Sequence, residues 1–355
     1  MKILLVGDYS SFHKYLSVGL KNLGHDVVLF SNGDFWKKID GFDRNLFDCR
    51  TKNPFKLLKS IFKTLSLMKG YDVVQLMNPM IFPSWINKFC LKRIVRNNSL
   101  ISLVSAGNDL AIIKSYCSGM FDYSPYDYEK QPIAMYKAKT IKSHFYRSSD
   151  IYISEKCDLI VPALYEYSVG YKNNPKFKKV VPFPIDVKSI PYSLNRVNRK
   201  IVFFHGLNRE EAKGTKFILK AFDMLKTKYP DRVECIAKGK IPFDEYVELM
   251  SHVNVVVDQC CSYGYGINAC IAMAQGKIVV AGKRDETLAS FGIDNSPIFN
   301  AKPDANYLFR VFEHILEKQD EIEQLGAESR RYVENLHDCD KIASEYVSLW
   351  DGLTK

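Results

Sequence analysis

The 355-residue chain has no stretch approaching ~20 consecutive apolar residues, so it offers no candidate for a membrane-spanning helix. None of its nine cysteines stands in a Cys-x-x-Cys spacing, which argues against a zinc ribbon and a thioredoxin-type redox pair. Cys260 and Cys261 are neighbours and cannot staple a loop. An odd cysteine count fits reduced thiols in the cytoplasm. The apolar run that opens the chain, Ile3 to Val6, is stopped by Gly7 and is too short for a secretory signal. No Gly-x-Gly-x-x-Gly follows the first strand, which weighs against an ordinary dinucleotide site there. No repeat of fixed period is present. The chain also lacks RNP, zinc-finger and helix-turn-helix signatures, so nucleic acid is not the expected partner.

Acidic side chains are scarce in one half only. Residues 1–185 hold 27 basic and 15 acidic side chains, a net +12, whereas residues 186–355 hold 23 and 25, a net −2. The overall +10 therefore resides in the first half. Such one-sidedness marks either a high-lysine background or a patch facing an anionic partner: phospholipid, a phosphorylated substrate or nucleic acid. The 46% hydrophobic and 25% charged fractions are those of a globular protein. The length exceeds what one core usually holds, and two domains are expected.

The pattern is strand, loop, helix, strand from the start: Lys2 to Val6, a loop Gly7 to His13, an amphipathic run to Leu23, then Val27 to Phe30. Further buried strands are expected at Val73 to Met77, Leu100 to Ser105, Leu159 to Val161 and Val180 to Pro182, with helices between them. Pro182, Pro184 and Pro191 make a stiff connector, after which the pattern restarts at Lys200 to Phe204. Strands follow at Val233 to Ala237, Val253 to Val257 and Lys277 to Ala281. The chain thus reads as α/β, two Rossmann-like domains with parallel sheets in succession. The last helix, Cys339 to Leu353, carries Ile342, Tyr346, Leu349 and Trp350 on one side and must bury that stripe.

Ligands of open parallel sheets bind beyond the carboxyl ends of the strands, where helix starts offer free amides to phosphates. In the first domain the loop there contains Ser10, Ser11 and His13, possible donors to a diphosphate or sugar. In the second, His205-Gly206-Leu207-Asn208-Arg209 leads to Lys213-Gly214 at an expected helix entrance. Arg209 and Lys213, four residues apart, can neutralise a departing diphosphate, although cations near a helix N-terminus oppose its dipole; otherwise they form a solvated basic helix start. The next loop runs Asp258-Gln259-Cys260-Cys261-Ser262-Tyr263-Gly264-Tyr265-Gly266-Ile267-Asn268 into a helix of small residues. Side chains at Gly264 and Gly266 would obstruct an approaching phosphate. Asp258 ends a buried apolar strand, so it needs a partner or a ligand, or else caps a turn.

Lys213-Gly214, Tyr265-Gly266, Ala272-Met273-Ala274-x-Gly276 and the terminal amphipathic helix together resemble the GT-B glycosyltransferases, specifically the retaining family-4 enzymes that use nucleotide sugars. Leu23-Gly24-His25-Asp26-Val27 and Pro182-Phe183-Pro184-Ile185-Asp186 fall at matching places, so the resemblance covers essentially the whole chain. It implies two facing domains, an acceptor domain of residues 1–185 joined by the C-terminal helix 340–355 and a nucleotide-sugar domain of residues 186–339; the charge of the first half makes the former the membrane-facing one. It also implies a nucleotide-diphosphate sugar as donor substrate, with no cofactor and no metal. Gly206, Asp258, Gln259, Ser262, Tyr263, Gly264, Tyr265, Gly266, Ile267 and Asn268 are the donor-site candidates. Arg209 and Lys213 are the catalytic candidates, with Asp109 or His13 orienting the acceptor. This sequence departs from the family at its usual pair of glutamates, where Tyr263 and Ile271 stand. A catalytically silent sugar- or nucleotide-binding partner and a non-hydrolysing sugar-nucleotide epimerase are the alternatives.

Two segments bear on the anionic partner. Across Pro54 to Lys69, Lys52, Lys56, Lys59 and Lys63 share an arc of roughly 60° while Phe55, Leu58, Ile61, Phe62 and Leu65 line the other side, at ~100° per residue. Trp85 to Arg96 repeats the pattern with Lys88, Lys92 and Arg96. Basic amphipathic helices suit an anionic membrane surface, while their apolar sides also have to cover the sheet. The expectation is a cytoplasmic glycosyltransferase, peripheral at the inner face of the cell membrane. It would act on a glycan or lipid-linked glycan in surface polysaccharide biosynthesis.

Overall fold

The computed structural model describes residues 1–33, 40–48, 50–107, 109–128 and 143–353. They divide into two compact units, one from Met1–Met120, Ala134–Asp186 and Asp338–Lys355, the other from Phe121–Ile133 and Val187–His337. Residues 121–128 therefore group with the second unit although they lie far upstream of it in sequence.

The first unit is built on a parallel sheet of β1 (Lys2–Val6), β2 (Asp26–Ser31), β3 (Arg44–Asn45), β4 (Val73–Leu76), β5 (Leu100–Leu103) and β6 (Leu159–Ile160). Its order is β3-β2-β1-β4-β5-β6. The central strands are buried and mostly apolar because helices cover both faces, and the two polar residues within β4 and β5, Gln75 and Ser102, are bonded to each other at 3.1 Å. On one face Leu4, Val6, Val74, Leu76, Ile101 and Leu103 pack with residues of α2 (Pro54–Leu67) and α3 (Ser84–Arg96), among them Ile61, Leu65, Ile86, Leu91 and Ile94. Elsewhere in this unit, α1 (Phe12–Asn22) pairs with the C-terminal helix Cys339–Asp351, which buries Ile342, Ala343, Tyr346 and Trp350. Asp338 caps that helix, accepting from the amides of Asp340 and Lys341. Where the two helices meet, a Cβ on Gly19 would lie 2.1 Å from the carbonyl oxygen of Cys339, so α1 has room there only for glycine.

Among the described residues this unit also has the helices α4 (Leu110–Cys117), α5 (His144–Lys156) and α6 (Tyr165–Ser168). The expected strand at Val180 to Pro182 is not formed. That stretch is irregular connector, with Pro182 supplying no amide for a ladder.

The second unit repeats the plan with β7 (Ile201–Gly206), β8 (Val233–Lys238), β9 (Val255–Val257), β10 (Ile278–Ala281) and β11 (Phe299–Asn300) in the order β11-β10-β9-β7-β8, again parallel. Its helices are α7 (Glu210–Lys213), α8 (Thr215–Lys228), α9 (Phe243–His252), α10 (Ile267–Ala274), α11 (Asp285–Ser290), α12 (Ala305–Glu317) and α13 (Ile322–Leu336). Phe203, Phe222 and Phe312 meet at the centre of its core. Arg330 of α13 donates to the carbonyls of Val187, Ile190 and Ala274, tying the connector to the end of α10.

Strand order fixes where ligands can enter. The chain leaves β7 for β8 on one side and leaves β9 for β10 on the other, so the switch point of this sheet, where open parallel sheets form a ligand crevice, lies between the carboxyl ends of β7 and β9. The equivalent point of the first sheet lies between β1 and β4.

Gly19→Ala should destabilise the first unit by about 1–3 kcal/mol, because backbone must move to admit the methyl group. The expected result is a melting temperature lowered by several degrees in a thermal unfolding scan. An unchanged value would contradict the close crossing.

Candidate functional site

At the crevice of the second sheet, the chain leaves β7 through Leu207 and Asn208 and turns on Arg209, whose backbone is left-handed at φ 49°. One helical turn follows, and Lys213 closes it, donating its amide to the Arg209 carbonyl at 3.0 Å. Lys213 therefore ends this short turn and also stands at the entrance of α8, where the sequence placed it. Gly214, at φ 75°, ends α7 and opens α8, and a Cβ there would collide with the sulfurs of Cys260 and Cys261.

The loop after β9 comes back to the same place. Asp258 is buried, and its Oδ1 accepts from Lys213 Nζ at 2.8 Å, with the two side chains only 4% and 12% exposed. The amide of Cys260 donates to the Lys213 carbonyl at 3.0 Å, so backbone and side chain both join the two loops. Behind them His205 donates from Nδ1 to the Val257 carbonyl at 2.7 Å, which leaves Nε2 to accept from the Thr215 hydroxyl at 2.8 Å. Burial pushes its pKa down to about 4, outweighing the Val257 carbonyl, so the ring is neutral.

Gln259 donates to the Gly264 carbonyl at 3.1 Å and holds the loop closed before Gly266 caps α10. A Cβ on Gly266 would meet only Asp258 Oδ2 within 4 Å, at 3.7 Å, and one on Gly206 only the Phe204 ring, at 3.8 Å. A methyl group at either position would therefore make only ordinary contact with its neighbour. The first amides of α10, at Ile267 and Asn268, have no partner within the helix. Asn268 is exposed in that first turn.

Ser262, Tyr263, Gly264 and Tyr265 are buried, and two of them have internal duties. The backbone of Ser262 and Gly264 passes directly over Gly282. The Tyr263 hydroxyl accepts from the Asp122 amide at 2.8 Å, the rings of Phe121 and Tyr123 pack on it at 5.2 Å, and the Arg284 guanidinium lies over its face at 4.6 Å. Arg284 also pairs with Asp122 at 3.0 Å. Tyr263 thus anchors residues 121–128 to this unit. Tyr265 is fully buried, its hydroxyl bonded to Tyr332 at 2.6 Å and to His337 at 2.9 Å. Neither tyrosine side chain is presented to a donor sugar. Sequence reading missed the 121–128 anchor because its partners are some 140 residues apart and no local pattern encodes such a contact.

In the first unit both selected groups are internal. His13 is fully buried, its Nδ1 bonded to the Gly7 carbonyl at 2.5 Å, and burial lowers its pKa to about 3. Asp109 caps α4 by accepting from the Ile112 amide at 2.8 Å, and also accepts from the hydroxyls of Ser105 and Tyr171. Its neighbour Asn108 lies outside the described residues. Asp150 accepts from the Leu110 amide at 2.7 Å. Burial raises both carboxyl groups, and for Asp150 the charge of Asp109 adds to it.

One further signal is conformational. Among the described residues, the non-glycine positions with positive φ are Ser10, Ser11, Ser105, Arg209 and Lys240, all in loops that leave the carboxyl ends of β1, β5, β7 and β8. Such backbone strain gathers at ligand sites, and it picks out the same edges that sheet topology does.

Lys213→Met should cost about 3–5 kcal/mol, since it strands a buried carboxylate, and Lys213→Met with Asp258→Asn should cost clearly less. Urea unfolding of the two variants checks the order, and equal losses would contradict the pairing. A raised folded-state carboxyl stabilises below the ordinary carboxylate pKa of ~4 and loses that contribution as pH rises. Asp150→Asn should therefore gain stability relative to the parent from pH 5 to pH 8. His13 and His205 act oppositely, favouring unfolding as pH falls below ~6.5. Unfolding curves of the Asp150→Asn pair across that range provide the test.

No family model matches the chain, and no curated protein matches it in sequence. Solved structures do match. Sucrose-phosphate synthase from Thermosynechococcus elongatus is 15% identical over 99% of both chains, with a TM-score of 0.65. HepE from Anabaena, in complex with UDP-glucose, is 12% identical over 99% of this chain and 100% of that one, with a TM-score of 0.62. The UDP-GlcNAc 2-epimerase from Neisseria meningitidis, bound to UDP-GlcNAc, is 12% identical over 98% and 99%, with a TM-score of 0.53. These likenesses place the chain in the α/β fold of two Rossmann-like, parallel-sheet units that the GT-B glycosyltransferases share.

Proposed function

We propose that this chain is a retaining, metal-independent glycosyltransferase of the family-4 kind. It moves a sugar from a nucleoside diphosphate sugar to a glycan or lipid-linked glycan during surface polysaccharide assembly, working peripherally at the cytoplasmic face of an anionic membrane. The observation that carries the reading is the juxtaposition at the second sheet's crevice: Lys213 held by Asp258, Arg209 on an exposed strained turn, and the open start of α10 beside Gly266. UDP-glucose in HepE and UDP-GlcNAc in the epimerase make a uridine diphosphate sugar the first donor to try.

The chemistry asked of the protein is electrostatic. As the bond from sugar to diphosphate breaks, negative charge grows on the departing oxygen. Arg209, Lys213 and the amides of Ile267 and Asn268 would stabilise it, supplying positive charge that a metal ion could otherwise provide. The acceptor hydroxyl then attacks from the face the diphosphate leaves, its oxygen bonding to the anomeric carbon as its proton passes to the departing diphosphate oxygen. Asp258 keeps the Lys213 ammonium placed while the site is empty. Ser262, Gly264 and Gln259 shape the loop, with Tyr263 and Tyr265 behind it. In the first unit, His13 and Asp109 act by fixing the backbone they bond, not by touching the acceptor.

A second reading, a catalytically silent donor-binding partner, is favoured by one observation: Tyr263 stands where the family has an acid, and its hydroxyl is engaged by Asp122. Donor-hydrolysis and transfer assays separate the two. Arg209→Ala, on an exposed turn, should fold normally and lose about 10²-fold or more in rate. A parent protein that binds a donor but turns over none of the common uridine and guanosine diphosphate sugars would decide for the silent form.

A further inference from the structure

We infer that the outward faces of α2 and α3 form a membrane-insertion surface for an anionic lipid bilayer, with aromatic side chains entering the interface and lysines at the phosphate level. The inference deepens the reading above, resting on it for what the bilayer supplies, a lipid-linked acceptor.

The apolar side chains of these helices do not all turn inward. On α2 only Ile61 and Leu65 among them are buried, while Phe55 is 81% exposed and Phe62 47%. On α3, Ile86, Leu91 and Ile94 are buried, while Trp85 is 50% exposed and Phe89 44%. Phe55 and Phe62, expected from sequence to cover the sheet, thus stand on the solvent side. At ~100° per residue they border the arc of α2 that carries Lys56, Lys59 and Lys63, and Trp85 and Phe89 share one arc of α3 with Lys88, Lys92 and Arg96. The rings of Phe62 and Phe89 meet edge to face at 5.9 Å, joining the two arcs into one surface.

Charge complementarity selects the occupant. Residues 51–108 contain nine basic side chains and a single acid, Asp72, which lies on neither helix. Large exposed apolar patches mark interaction sites. A protein partner's interface is depleted in lysine, which predominates here. Single-stranded nucleic acid is gripped in a basic groove, whereas these residues line the outer ridges of two helices. Aromatic side chains ringed by lysines on an amphipathic helix are what an anionic interface binds, ring into the acyl boundary and ammonium on the headgroup phosphate. Among the described residues no helix is long and apolar enough to cross a membrane, so this surface would lie on the bilayer.

The test uses the full chain and vesicles of phosphatidylcholine with or without phosphatidylglycerol. Co-sedimentation should require phosphatidylglycerol and weaken, without vanishing, as salt rises. Lipid brominated on its acyl chains should quench Trp85, with Trp85→Phe removing that signal and keeping the binding. Lys56→Gln with Lys59→Gln should lower the binding constant by roughly 30-fold. Phe62→Ser with Phe89→Ser should abolish the salt-resistant part, and all these positions are exposed enough to leave the melting temperature unchanged. The inference is overturned by absent vesicle binding, by binding indifferent to the four substitutions, by dimerisation through this face without lipid, or by preferential capture of a single-stranded oligonucleotide. Titration with UDP and UDP-glucose separates the two readings. Loss of vesicle binding with donor binding intact defeats this surface alone, and the reverse defeats the transferase reading.

Discussion

A carboxylate at the end of a buried strand cannot stay unpaired, and the contact that satisfies Asp258 organises the second unit. β9 is three valines in a row and delivers the chain straight from core to crevice with a charge as its next residue. The partner that meets it, Lys213, comes from the loop after β7, the strand beside β9 in the sheet. Largely desolvated, such a pair adds little net stability compared with an apolar contact, but separating it is costly. It therefore works as a register between two loops that could otherwise move independently. The short turn that presents Arg209, the left-handed Gly214 packed on the cysteine pair, and the open start of α10 all take their positions from it.

The two units share an architecture and use it differently. In the first, polar groups at the strand ends turn inward: His13 onto the Gly7 carbonyl, and Asp109 onto Ser105, Tyr171 and its own helix. In the second, the corresponding edge carries Arg209 on an exposed turn, the Lys213–Asp258 pair and the exposed Asn268 in the first turn of α10. Charge follows the same division. The near-neutral second half brings Arg209 and Lys213 to the loop after β7, while the +12 half places lysines beside exposed aromatic rings on α2 and α3.

Much of this was legible in sequence for a physical reason. Buried parallel strands are short runs dominated by apolar residues, so Lys2 to Val6, Val73 to Leu76 and Ile201 to Phe204 announce themselves, and the stripe on the last helix announces a packing partner. Two-residue edge strands, Arg44–Asn45 and Phe299–Asn300, carry no periodicity to read. Arg209, Lys213 and Asp258 could be chosen from their places at strand ends, but that Lys213 would neutralise Asp258 could not, because spacing along the chain does not give distance across a sheet. His13 and Asp109 show the converse. A polar residue in a strand-end loop reads the same whether its side chain faces solvent or a backbone carbonyl. Tyr263 shows it again: only the contact with residues 121–128 explains why a tyrosine stands there. Periodicity likewise cannot say which part of an apolar arc faces the sheet, and Phe55 and Phe62 stand at its solvent edge.

The central claim is that the crevice between the β7 and β9 loops recognises a diphosphate. Calorimetric titration of the purified chain with uridine, UDP, UDP-glucose, guanosine, GDP and GDP-mannose tests it most directly. The account predicts that at least one nucleoside diphosphate binds much more tightly than its nucleoside, with the difference largely removed in Arg209→Ala. Binding of a nucleoside as tight as that of its diphosphate, or no binding by any of them, would contradict it.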